Sequence, residues 1–125
     1  MLTICKRFHF DAAHFLPAYQ GKCHNLHGHR WLVDVGISGE VNPSGSEKGM
    51  VMDFGRLKMI VNRYIDQFDH QLINDIFPDD PTAENLASYF FGVIEKDLLT
   101  NYDGIILEFV RIWETEDAYA EWRKE

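Results

Sequence analysis

The chain is short of the features that would place it outside a reducing compartment or against a polyanion. Its 125 residues include two cysteines, Cys5 and Cys23, too few for a disulfide framework, and no apolar run as long as a transmembrane helix or a signal peptide. Together these point to a reducing cytoplasm. Cations are scarce as well: 12 lysines and arginines stand against 20 acidic residues, a formal charge of -8. No basic stripe is present to track a phosphate backbone, which argues against general nucleic-acid binding. Any phosphorylated ligand must be held locally; Arg7, Lys22 and Arg30 lie near enough in sequence to the histidines described next, although an exposed solubilising charge is the simpler reading of each. There are no repeats and no linker, and the length suits one domain, residues 1–125. At 46% hydrophobic, such a domain buries an adequate core without a structural metal.

What is concentrated is histidine. Five of the six lie between His9 and His29, and Cys23-His24-Asn25-Leu26-His27-Gly28-His29 holds three of them beside a thiol. Imidazole and thiolate are zinc ligands. Alternation from Leu2 to His14 puts Ile4, Phe8, Phe10, Ala12 and His14 on one strand face, with Lys6 the exception, and leaves His9 on the other. In the next strand, expected over His29 to Val41, the apolar phase of Trp31, Val33, Val35 and Ile37 extends back through His29 to His27. A lone histidine on an apolar face is more often a hydrogen-bonded core residue than a ligand. Three in phase on two strands that can pair are different: His14, His27 and His29 form a facial set suited to a zinc with an open position. Cys23 then has two possible roles. As a fourth ligand it closes a structural site; as a free thiol beside a cation it is a base or nucleophile, the role better suited to a protein that folds without metal. Cys5 reads as a partly buried strand thiol.

The remaining pattern is β-β-β-α-α-β. A short return strand, Met50 to Met52, follows the turn residues Asn42 to Ser46. Asp53 caps a helix whose stripe is Leu57, Ile60, Val61, Tyr64, Ile65 and Phe68, with Asp69-His70 at its end; Thr82 caps a second helix carrying Leu86, Phe90, Val93 and Ile94. The last strand, Ile105 to Thr115, is apolar on both phases apart from Glu108 and Glu114 on one and Arg111 on the other, as for a strand covered on both sides. The expected fold is α+β, a four-stranded antiparallel sheet with two helices on one face. Glu114 closes that strand either as a surface charge or as a buried carboxylate accepting two hydrogen bonds from an amidine-like ligand edge. Asp69-His70 is either a favourable helix terminus or an acid/base pair.

Phe10-Asp11-Ala12-Ala13-His14, Cys23-x-x-x-His27-Gly28-His29, Met52-Asp53-Phe54, Asp69-His70, Pro81-Thr82-x-Glu84-Asn85-Leu86-Ala87 and Glu114-Thr115 resemble, in order and spacing, the motifs of the 6-pyruvoyl-tetrahydropterin synthase family. The resemblance implies a tunnelling fold that oligomerises into a barrel, as trimers paired into homohexamers. It implies Zn2+ on His14, His27 and His29, Cys23 as proton-abstracting group, Asp69 and His70 relaying protons from a neighbouring subunit, Glu114 anchoring a pterin ring and Thr82 contacting it. The implied substrate is 7,8-dihydroneopterin triphosphate. Members of the eukaryotic type eliminate triphosphate to give 6-pyruvoyl-tetrahydropterin. Bacterial members break a carbon–carbon bond in the substrate's hydroxylated arm, giving 6-carboxy-5,6,7,8-tetrahydropterin, acetaldehyde and triphosphate for queuosine and other deazapurines. The three-residue gap between Cys23 and His27 and the short, compact sequence are similar to the bacterial type, so a zinc-dependent carbon–carbon lyase is expected. The pyruvoyl synthase is the runner-up, and a non-catalytic structural zinc protein, its site closed by Cys23, a remote third.

Overall fold

A computed structural model describes residues 1–125. The elements in order are β1 (Leu2–His14), a 3-10 turn (Lys22–His24), β2 (His27–Gly39), α1 (Phe54–Ile65), β3 (Gln71–Leu72), α2 (Ile73–Ile76), α3 (Ala83–Asn101), β4 (Ile106–Thr115) and β5 (Ala118–Arg123). The fold is α+β. The sheet, however, has five strands in the order β3-β1-β2-β4-β5, not four. β5 hairpins back from β4 through Glu116 and Asp117, and the two-residue β3 pairs in parallel with Ala12 and Ala13; all other pairings are antiparallel.

Three further expectations are corrected. Residues 50–52 form no strand; hydrogen bonds between Asn42 and both Gly49 and Met50 close that loop instead, with Val51 and Met52 buried beneath it. β2 starts at His27 and ends at Gly39, so the whole His-Gly-His run is strand. α1 stops at Ile65, leaving Asp69-His70 on the turn that follows. Helix starts are as expected: Asp53 Oδ1 accepts from Gly55 N at 3.0 Å and Thr82 Oγ1 from Asn85 N at 3.1 Å, each satisfying an otherwise unpaired amide of a first turn.

One cluster of 25 buried apolar residues forms the core between the sheet and the helices, α1 lying against β1 and α3 against β4 and β5. Leu57, Ile60, Val61 and Ile65 of α1 are buried, each contributing about 1.5–3 kcal/mol. Trp31, fully buried, stacks parallel to Phe10 at 5.9 Å.

The helices cover one face only, so β4 is not sandwiched. Its outward phase carries Phe109, Arg111 and Trp113, and Arg111 belongs to a row of alternating charge that crosses four strands: Arg7, Asp34, Arg111 and Glu121 are successive register partners. Gly36, which pairs with Cys5 and Phe109, is required on this face because the Phe109 ring lies where its Cβ would be. Cys5, on the same outward face, is exposed rather than partly buried.

Candidate metal centre

β1 and β2 run antiparallel with His14 opposite His27 and Ala12 opposite His29. Because side chains alternate across a strand, this register puts all three imidazoles on the helix-facing side, at the end of the sheet where Trp31 forms the floor. Glu114 continues the inward phase of Val110 and Ile112 and reaches the same point: Oε1 lies 3.3 Å from His29 Nε2 and 3.8 Å from His14 Nε2. The four donor atoms lie within 4.8 Å of one another.

The donor chemistry fits a cation. His14 Nδ1–H donates to the Pro81 carbonyl at 2.8 Å, and His27 Nδ1–H to the Asn25 carbonyl at 2.7 Å. Each ring therefore turns an unprotonated Nε2 inward, and these two nitrogens are 2.9 Å apart. Two lone pairs at that separation repel unless a positive charge lies between them. Burial pushes His14 below the ordinary imidazole range despite the Pro81 hydrogen bond and the Glu114 carboxylate. Burial also pushes His29 down against Glu114, and its Nε2 is buried with no hydrogen-bond partner. Tetrahedral zinc with bonds of about 2.0–2.1 Å has ligand–ligand edges of about 3.3 Å, close to the 2.9 and 3.3 Å seen here. The Pro81 and Asn25 carbonyls are the orienting groups; a backbone carbonyl belongs to every residue type, so sequence patterning carries no signal for either.

The other sequence-derived residues are distributed around this centre. Cys23 lies half-buried on the 3-10 turn and is not among the clustered donors. Its carbonyl accepts from Leu16 N at 2.8 Å, tying the loop to the end of β1. Thr82 caps α3 directly after Pro81.

Asp69 and His70 form a pair, Oδ2 to Nδ1 2.9 Å, clamped to β1 because Asp69 Oδ1 accepts from Asp11 N at 2.9 Å and His70 N donates to Asp11 O at 2.6 Å. The Asp11 amide, then His70, holds the Asp69 carboxyl below the usual range. The clamp also keeps His70 in the left-handed region, φ 59°. His70 and His29 border one shallow cavity of about 560 Å3, but no hydrogen bond joins Asp69 or His70 to Cys23 or to the clustered imidazoles. Arg7 and Arg30 are engaged in ion pairs with Asp34 and Asp11, and Lys22 makes none.

Comparison with known proteins identifies the chain's relatives. A 6-carboxy-5,6,7,8-tetrahydropterin synthase of Haemophilus influenzae is 34% identical, over 99% of this chain and all of that protein. A putative enzyme of the same name from Archaeoglobus fulgidus is 41% identical over 92% of this chain and 90% of its own. A dihydroneopterin monophosphate aldolase of Pyrococcus furiosus is 35% identical over 94% of each. The 6-pyruvoyl tetrahydropterin synthase structure from Caenorhabditis elegans superposes with a TM-score of 0.83 at 28% identity, covering 99% of this chain and 96% of that one. The family model described as 6-pyruvoyl tetrahydropterin synthase matches residues 3–125, and the chain belongs to that family.

Proposed function

We propose that this protein is a zinc-dependent carbon–carbon lyase that converts 7,8-dihydroneopterin triphosphate and water to 6-carboxy-5,6,7,8-tetrahydropterin, acetaldehyde and triphosphate. The observation that carries the reading is the convergence of His14, His27 and His29 Nε2 with the Glu114 carboxylate at one end of the sheet. Names carried by relatives at 34–41% identity support the choice of reaction.

In this reading His14, His27 and His29 hold zinc, which supplies Lewis acidity toward the oxygens of the substrate's hydroxylated arm. Cys23 Sγ takes the proton leaving a carbon of that arm. Asp69 fixes the His70 ring through Nδ1, leaving Nε2 to exchange protons at a neighbouring subunit's site. Glu114 accepts adjacent N–H groups of the pterin pyrimidine edge through its two oxygens. Thr82 Oγ1, already accepting from Asn85, keeps its O–H to donate to the ring.

The edge of β1 from Leu2 to Asp11 has no strand partner, β3 reaching only Ala12 and Ala13, and β5 leaves the opposite edge free with Tyr119 and Trp122 exposed. Such edges support closure by other copies into a trimeric barrel and a homohexamer. No helix is long and apolar enough to cross a membrane; a cytoplasmic place in queuosine biosynthesis completes the proposal.

Incubation of the zinc-loaded protein with 7,8-dihydroneopterin triphosphate, with every product identified by mass, tests the assignment. Acetaldehyde, triphosphate and the 6-carboxy pterin in equal amounts are expected. Triphosphate with a 6-pyruvoyl product and no aldehyde would place the protein with the pyruvoyl synthases. A phosphorylated aldehyde would place it with the Pyrococcus aldolase, and intact substrate would leave a structural zinc protein.

A further inference from the structure

We propose that Asp34 and Trp113 are positioning residues that aim Glu114 from the opposite face of the sheet; the proposal rests on Glu114 serving the site as read above. Asp34 is 5% exposed at the middle of β2, facing away from the histidines. A carboxylate so buried is destabilising unless its oxygens are occupied. Here Oδ1 accepts from Arg7 Nε at 2.7 Å, while Oδ2 accepts from Arg7 Nη2 at 3.0 Å and from Trp113 Nε1 at 2.9 Å. Three strands meet on one carboxylate.

The third contact has consequences for the site. Trp113 precedes Glu114, and its indole is held by Asp34, by the Arg7 guanidinium 5.4 Å from its ring and by Tyr119 at 4.5 Å. On the β5 side the register runs from Trp113–Tyr119 directly to Thr115–Ala118, so Glu114 is the extra residue of a bulge with no partner of its own. A bulge re-aims the side group it releases, and the direction is set by its fixed neighbours. With Trp113 locked outward and Thr115 paired, Glu114 points inward onto His29. Strand cohesion does not need this contact, because β2 and β4 are already paired in register from Leu32–Trp113 to Ser38–Ile106.

The test is a double-mutant cycle between Trp113→Phe, which keeps an aromatic ring and removes the Nε1 donor, and Glu114→Gln, read in neopterin affinity and in kcat/KM. Trp113→Phe should weaken both about tenfold when Glu114 is intact, the usual size for an orienting contact, and change neither in the Glu114→Gln background, with zinc content retained. Equal losses in both backgrounds, or none with Glu114 intact, overturn the proposal. A parent protein that makes no acetaldehyde but shows the same non-additivity in neopterin affinity would retire the reaction and keep the positioning role.

Discussion

The Nε2 atoms of His14 and His27 face each other at 2.9 Å while both rings spend their Nδ1–H on backbone carbonyls. In the neutral rings both Nε2 atoms are then bare, and a cation between them relieves their repulsion. About one zinc per protomer is therefore expected, and a strong chelator should lower Tm by several degrees, since a ligand held by the folded state alone stabilises it. His27→Ala should purify without zinc. Thermal scans identical with and without chelator would count against the site.

For Cys23 the expectation is a loss confined to chemistry. Cys23→Ala should retain zinc and oligomeric state while turnover falls by at least about a hundredfold, the contribution expected of a positioned base. Elemental analysis beside the turnover assay decides it: a variant that loses its metal with its activity makes the thiol a ligand.

Glu114→Gln keeps the volume of the residue but turns an amide donor toward donors. Weakening of neopterin binding by about 1–3 kcal/mol, or roughly tenfold to a hundredfold, is expected by calorimetry. Zinc content separates the two roles its position allows. Retained zinc fits a pterin anchor, and lost zinc fits a fourth metal ligand, for which the 3.3 Å approach to His29 is also suitable.

Away from the site, the buried Asp97 joins α1 to α3. Burial raises its pKa, but hydrogen bonds from Tyr64 at 2.6 Å, Asn101 at 2.9 Å and Arg63 at 3.2 Å outweigh that and leave it below the ordinary carboxylate value, while Tyr64 is pushed up to about 12. A carboxyl with a lowered folded-state pKa binds fewer protons folded than unfolded. Its contribution is complete above the unfolded value of about 3.9 and is lost as pH falls through the folded one. Asp97→Asn should cost about 1–3 kcal/mol at pH 7, and the gap in denaturant midpoints between variant and parent should close below about pH 3.9. A gap independent of pH would show that charge at Asp97 is irrelevant.

Strand alternation is enough to identify His14, His27 and His29 as co-facial, because the residues that set the phase, Phe8, Phe10, Trp31 and Val33, are buried as expected. The Thr82 and Asp53 caps are equally legible, each being a local contact from a side-group oxygen to a nearby amide. β5 is not: Ala118–Arg123 is short and mostly exposed, with only Ala120 and Glu121 half-covered. Its place is fixed by the hairpin after β4. Nor is the outward face of β4 legible, because Phe109 and Trp113 read as a covered apolar phase when they flank Arg111 in its charge row with Asp34 and Glu121. The Pro81 and Asn25 carbonyls cannot be read at all. The family resemblance points to Asp69-His70, but nothing in the sequence shows that the pair is fastened to Asp11 of β1.

The most direct measurement is a zinc titration of metal-stripped protein under saturating 7,8-dihydroneopterin triphosphate, following acetaldehyde release. Acetaldehyde should be absent from the stripped protein and rise linearly to a plateau at about one zinc per protomer, with triphosphate in equal amount. Release at full rate without zinc, or a plateau of zinc binding with no aldehyde, would contradict a zinc-dependent lyase built on His14, His27 and His29.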